Sequence, residues 1–174
     1  MAGKTIVIGL GNPLLRDDAV GLRVAEMLRP GVPPEVTVAV SERGGFELLD
    51  LMTGFQRAIL IDCLDLPQPH PGRIRNLSLQ DCRGSRRLIG QHDLSIGRAF
   101  ELAEVLGIPM PLDVEIFGIE PADTSSFGEQ ISPEVQKAAE QLVENLRERF
   151  QQWQSPARFE GNSMAGGDSW EAHP

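Results

Sequence analysis

A three-layer α/β/α sandwich around a mostly parallel twisted sheet is the fold this sequence predicts, and three observations predict it. Thr5–Leu10 is a short β-branched run that ends at glycine and proline and hands over to an amphipathic stretch, Val20, Val24, Met27 and Leu28. Arg57–Leu64 is almost continuously apolar around Ala-Ile-Leu-Ile, as strands buried on both faces are. Strand-like and helix-like segments then alternate to the end of the chain, the pattern of a sheet covered by helices.

Taken in order, strand one (Thr5–Leu10) stops because Asn12-Pro13 cannot continue it: proline has no amide donor and restricts the residue before it. The first helix is expected over Asp18–Leu28, and Pro30, Pro33 and Pro34 stop it before a second strand at Val36–Val40. Gly44-Gly45 opens a short helical piece with Phe46, Leu48, Leu49 and Met52. Strand three, Arg57–Leu64, carries Asp62 near its end. After a proline-rich loop, Arg73–Leu79 alternates and reads as an edge strand. A helix follows over Leu94–Leu106 with Asp93 as its cap, then a strand at Val114–Ile119. The last helix begins at Ser132-Pro133-Glu134, Ser capping and Pro in the first turn, and carries the stripe Val135, Ala138, Ala139, Leu142, Val143, Leu146 and Phe150. Residues 1–153 are expected to form a single catalytic α/β domain. The Gly-, Ser- and Pro-rich stretch 154–174 has too few apolar residues to order itself and reads as a disordered tail.

With 174 residues the chain can bury one good core. Its net charge of −9 opposes broad nucleic-acid binding, which needs lysine and arginine against phosphates. The one basic cluster, Arg83, Arg86 and Arg87, reads as a solvated loop. No apolar run approaches the roughly 20 residues of a membrane span, and the short apolar piece in MAGKTIVIG is no secretory signal. Cys63 and Cys82 form no metal pattern, Cys63 reading as a small buried hydrophobe. A cytoplasmic protein acting as a monomer, with no nucleic-acid or membrane partner, is the expectation.

Three residues can share one site. Asp18 follows strand one and Asp62 ends strand three, so in a parallel sheet both reach the carboxyl edge, where α/β folds bind ligands. His92 precedes a helix that returns to the same sheet. Two carboxylates and an imidazole form a mixed oxygen and nitrogen set that suits a divalent first-row metal and leaves positions open. Each has a plainer reading. Asp18, or Asp17 beside it, can complement a helix N-terminus, and His92 can be a loop histidine. Asp62 is harder to explain that way, because a carboxylate inside AILIDCL loses its hydration unless something pairs with it. Gly9-x-Gly11 with Glu42 after strand two suggests a dinucleotide fingerprint. However, Leu14 stands at the third glycine position, and the Asp pair would repel a pyrophosphate.

These residues carry a resemblance. GLGNPLLRDDAVGLRVAEML resembles the opening signature of the hydrogenase maturation peptidases, Gly-Asn-x-Leu-Leu-x-Asp-Glu/Asp-x-x-Gly. Asp62 in LIDCLD and His92 in QHDLSI fall in the order and contexts of that family's other two key residues, and FGIEPADTSSFGEQISPEV resembles its C-terminal signature. The similarity covers roughly Thr5–Phe150 and leaves the tail unmatched. It implies a phosphorylase/hydrolase-like form of the sandwich and an endopeptidase, grouped with the aspartic-type peptidases. Such an enzyme removes the C-terminal extension of a [NiFe]-hydrogenase large-subunit precursor after nickel insertion. It also implies that Asp18, Asp62 and His92 are both the metal-contacting and the catalytic residues, with nickel presented by the precursor rather than held as a permanent cofactor. Two departures stand out. Asp18 occupies a position that is often Glu, with one methylene less reach. Glu42-Arg43-Gly44-Gly45 replaces a block that often carries Gly-Thr, so the substrate-facing loop is expected to suit another precursor.

Two rival readings share parts of this pattern. Peptidyl-tRNA hydrolases also begin with a Gly-Leu-Gly-Asn-Pro turn, but need a histidine and asparagine shortly after it and a basic surface. Arg16-Asp17-Asp18-Ala19 and the acidic balance exclude that reading. A nickel-sensing chaperone or docking module that binds the same precursor without cutting it would use the same triad, and only the mass of the incubated precursor separates the two.

Overall fold

The protein is described by a computed structural model over residues 3–42, 45–79 and 96–154. Its strands are β1 (Thr5–Leu10), β2 (Val36–Ser41), β3 (Arg57–Cys63), β4 (Ile74–Leu77) and β5 (Asp113–Ile119). A 3-10 turn (Arg16–Ala19) leads into helix α1 (Val20–Leu28); α2 (Phe46–Met52), α3 (Ile96–Leu106) and α4 (Pro133–Gln154) complete the elements. One sheet runs in the order β2-β1-β3-β5-β4. The first four of these strands are mutually parallel, and only the edge strand β4 is antiparallel to its neighbour. The expected edge strand is therefore present, shortened to Ile74–Leu77.

Alternation along the buried strands divides the core into two layers, because successive side chains leave a strand on opposite faces. Val7, Ile59, Ile61 and Cys63 point to one side and meet Val20, Val24 and Leu28 of α1 and the expected stripe of α4. Ile6, Ile8, Ala58 and Leu60 point to the other and meet Leu48 and Met52 of α2 and Ile96 and Phe100 of α3. Each fully buried Leu or Ile in these layers contributes about 1.5–3 kcal/mol relative to exposure. The result is a layered α/β arrangement with helices on both faces of a mostly parallel sheet. Among the described residues no helix is long and apolar enough to cross a membrane.

Helix α1 lies close against the sheet because glycine permits it. A Cβ on Gly21 would stand 2.2 Å from the Ile61 carbonyl oxygen and 2.3 Å from that of Leu10. The parallel β1–β3 pairing brings Ile61 opposite Gly9, so both strands deliver their ends to the same edge. The expected helix start at Asp18 is corrected here: Arg16–Ala19 forms a tighter 3-10 turn and the α-helix begins at Val20. The segment 80–95, with His92, Asp93, Cys82 and the arginine cluster, lies outside the described residues, as do Arg43, Gly44 and the tail beyond Gln154.

Candidate active site

The site begins where β1 ends. Gly11 has φ +147, and a Cβ there would sit 2.0 Å from the Asp18 carbonyl oxygen, so only glycine lets the chain fold back this closely. Asn12 then organises the turn through its side chain, whose Oδ1 accepts the Leu14 amide at 3.0 Å. The Asn12 amide itself donates to Asp18 Oδ2 at 3.1 Å, and the Asp18 amide donates to the Leu15 carbonyl at 2.8 Å. The turn thus closes on its own acidic end. Between them Arg16 holds φ 32, in the left-handed region that a side chain rarely adopts.

Asp62 faces this turn from the end of β3. It is 1% exposed. Its Oδ1 accepts the Cys63 amide at 2.8 Å, while Oδ2 is buried with no hydrogen-bond partner among the described residues. Burial pushes the Asp62 carboxyl up to about 8; the Cys63 amide pulls it back in part, and the negative charge of Asp18 adds to the rise. Asp18 and Asp62 are therefore brought within electrostatic reach of each other, as the parallel topology predicts. The third expected member, His92, lies outside the described residues, and among those described no group of three metal-ligating side chains occurs. Cys63 is buried and its thiol is pushed far up, first by burial and then by Asp62 and Asp18, so it serves as packing and not as a nucleophile.

Two acidic residues matter here in ways the sequence reading did not assign. Asp17 is 0% exposed and is turned inward to the 122–132 loop and the start of α4. Its Oδ2 accepts the amides of Ala122 at 2.8 Å and Asp123 at 2.9 Å and the Ser132 hydroxyl at 2.7 Å. Its Oδ1 accepts the Ser132 amide at 2.6 Å. Ser132, expected as a helix cap, donates its hydroxyl to Asp17, while its carbonyl accepts the Gln136 amide at 2.8 Å. The 120–132 loop is further stitched to the first turn by a parallel bridge of Leu15 to Gly128, and by Arg16, which reaches Asp123 Oδ2 and the Gln130 carbonyl. Asp123 is held well below the ordinary carboxylate range, chiefly by the Ser126 and Ser125 donors.

Glu120, just past β5, is the second. It is 0% exposed, yet it accepts the His70 amide at 2.5 Å and the Arg75 guanidinium at 2.7 Å. Burial alone would raise its pKa; the His70 amide and Arg75 outweigh that and lower it. It joins edge strand β4 to the loop entering the site. In the sequence the signal for Asp17 was two adjacent carboxylates at a tight turn, of which only one can face outward, and Glu120 stood in the FGIEPADTSSFGEQISPEV block with no role attached.

The chain is similar to known proteins over most of its length. A family model described as "HycI: Hydrogenase maturation protease" matches residues 22–149. The chain is 26% identical over 154 residues to the "Hydrogenase expression/formation protein HupD" of Bradyrhizobium diazoefficiens, covering 81% of this chain and 79% of that one. It is 25% identical over 151 residues to the "Hydrogenase 2 maturation protease" of Escherichia coli, covering 83% and 92%. Its fold is similar to the crystal structure of a [NiFe] hydrogenase maturation protease HycI from Thermococcus kodakarensis, with TM-score 0.65 and 21% identity over 86% of this chain and 94% of that one. A family match spanning most of the sandwich, on a fold that brings Asp18 and Asp62 to one edge, identifies the chain as a member of the hydrogenase maturation proteases, endopeptidases that remove the C-terminal extension in [NiFe]-hydrogenase maturation.

Proposed function

We propose that this endopeptidase acts on a [NiFe]-hydrogenase large-subunit precursor already loaded with nickel, and that Asp18, Asp62 and His92 contact that nickel. The observation that carries the reading is Asp62: a buried carboxyl beside a second acid, with one oxygen that nothing among the described residues satisfies. An unsatisfied buried acceptor is costly unless a ligand completes it. The donor set fits the cargo, since carboxylate oxygens with an imidazole nitrogen suit a divalent first-row metal. His92 enters through the family resemblance alone.

Without substrate, Asp62 keeps its proton at neutral pH. A cation brought by the precursor favours the ionised form of both acids. Asp62 then sheds its proton on engagement and becomes a base able to take one from the attacking water. Asp18 is anchored beside it by the Asn12 amide. Such a site stays idle until a loaded substrate arrives, which makes nickel a checkpoint on cleavage. The aspartic-type grouping, the phosphorylase/hydrolase-like kinship of the fold, action as a cytoplasmic monomer and a catalytic unit ending near residue 153 belong to the same proposal.

The test is intact mass of a nickel-loaded precursor incubated with the protein, beside a nickel-free control. Loss of a C-terminal peptide from the loaded sample alone is expected. Cleavage of both samples would remove the nickel checkpoint. Binding of the cognate precursor without any mass change would favour the non-cleaving chaperone.

A further inference from the structure

We propose that Asp17 is a positioning residue for this peptidase: its buried carboxylate fastens the turn that carries Asp18 to the 122–132 loop and so fixes Asp18 against Asp62. The inference rests on the reading of Asp18 and Asp62 as the reacting pair. Consecutive side chains on a 3-10 turn diverge by roughly 120°, so a turn that aims Asp17 inward must aim Asp18 elsewhere. Asp17 is the inward one. Its two oxygens take four donors, three of them backbone amides, all from residues 122–132. The Asp17 amide closes the ring by donating to the Asp123 carbonyl at 3.2 Å. Arg16, in its left-handed conformation, is held by the same loop through its amide to Gly128 and its guanidinium to Asp123. A conformation this unfavourable persists only where the surroundings over-determine it. Rotation of the turn is therefore locked at Arg16 and at Asp17, and Asp18 is the next residue.

The chemistry of the clamp suggests its own probe. Both Asp17 oxygens face N–H donors, so in Asp17→Asn the side-chain amide must point a donor at a donor in either orientation, with no change in size. On nickel-loaded precursor, Asp17→Asn is expected to lower kcat by about 10- to 100-fold, the usual effect of losing an orienting partner. KM is expected to change less than kcat, since the clamp itself touches no substrate and acts only through Asp18. Val143→Ala, in the buried stripe of α4 away from the site, serves as the control for plain destabilisation and should keep its kcat at a temperature where every variant is folded. An unchanged kcat in Asp17→Asn, a rise in KM alone, or a parallel fall in both variants would overturn the assignment. If Asp17→Asn does not fold, Ser132→Ala, which removes one of the four donors, should show the same kcat loss in smaller degree. A wild-type chain that leaves loaded precursor uncut would defeat the underlying peptidase reading before any variant is assayed. Amide chemical shifts then decide the geometry without turnover: Asp17→Asn should displace Asp18 along with Ala122, Asp123 and Ser132, and an unmoved Asp18 would overturn the clamp.

Discussion

At neutral pH the Asp62 carboxyl, raised to about 8, holds a proton that an exposed aspartate has already lost. In the unfolded chain it titrates near 3.8. Between those values the folded protein binds a proton that the unfolded one does not, so on account of this group stability falls as pH rises through that window and levels off above it. Asp62→Asn should flatten that slope in metal-free protein and be more stable than wild type above about pH 8. Urea midpoints across the range check this, and an unaltered slope would mean that Asp62 is ionised throughout. Asp62 was legible in the sequence because a carboxylate inside an apolar strand is a local contradiction. Asp17 was not, because its Ser132 partner stands 115 residues further along, and adjacency to Asp18 made the two look interchangeable.

Periodicity made the elements legible. The strands were expected within a residue or two of their observed bounds, and the α4 stripe packs as its spacing requires. The 3-10 turn was not foreseen, since its geometry is imposed by the 122–132 loop and local propensity says nothing of it. Close approach of α1 to the sheet was equally hidden, although Gly9, Gly11 and Gly21 were its only outward sign. Gly21→Ala should lift α1 from β1 and β3, because its methyl would meet two backbone carbonyls that cannot rotate away. Overpacking of this kind costs about 3 kcal/mol. A matching drop in the free energy of urea unfolding is expected, and a neutral substitution would show that α1 can slide.

Across the whole molecule the far end of α4 is tied back to the sheet. Trp153 stacks under the Arg57 guanidinium at 4.3 Å and beside Phe150, while Arg149 holds Glu115 of β5 through two bonds. Helix α4 therefore stays packed against the sheet as far as Trp153, three residues past the end of the apolar stripe at Phe150. A chain cut after Gln154 should unfold at the same urea midpoint as the full protein, whereas one cut after Phe150 should lose stability. A large loss on the first cut would place part of the fold in residues 155–174. The layered α/β arrangement and the burial of Asp62 were thus readable from local pattern, and what escaped was set by contacts between distant loops.

The clamp on Asp17 also has a consequence for how the protein comes into being. Synthesis delivers the acidic turn early and its donors late: a nascent chain that has emerged through β5 already contains Asp18 and Asp62, yet has no Ala122, Asp123 or Ser132 to hold the turn. Long-range closure of this kind comes after the local elements have formed. On the proposed reading of Asp18 and Asp62, the pair is aligned only when the last helix begins to emerge, so an unfinished copy on the ribosome would carry the acids without the geometry to use them.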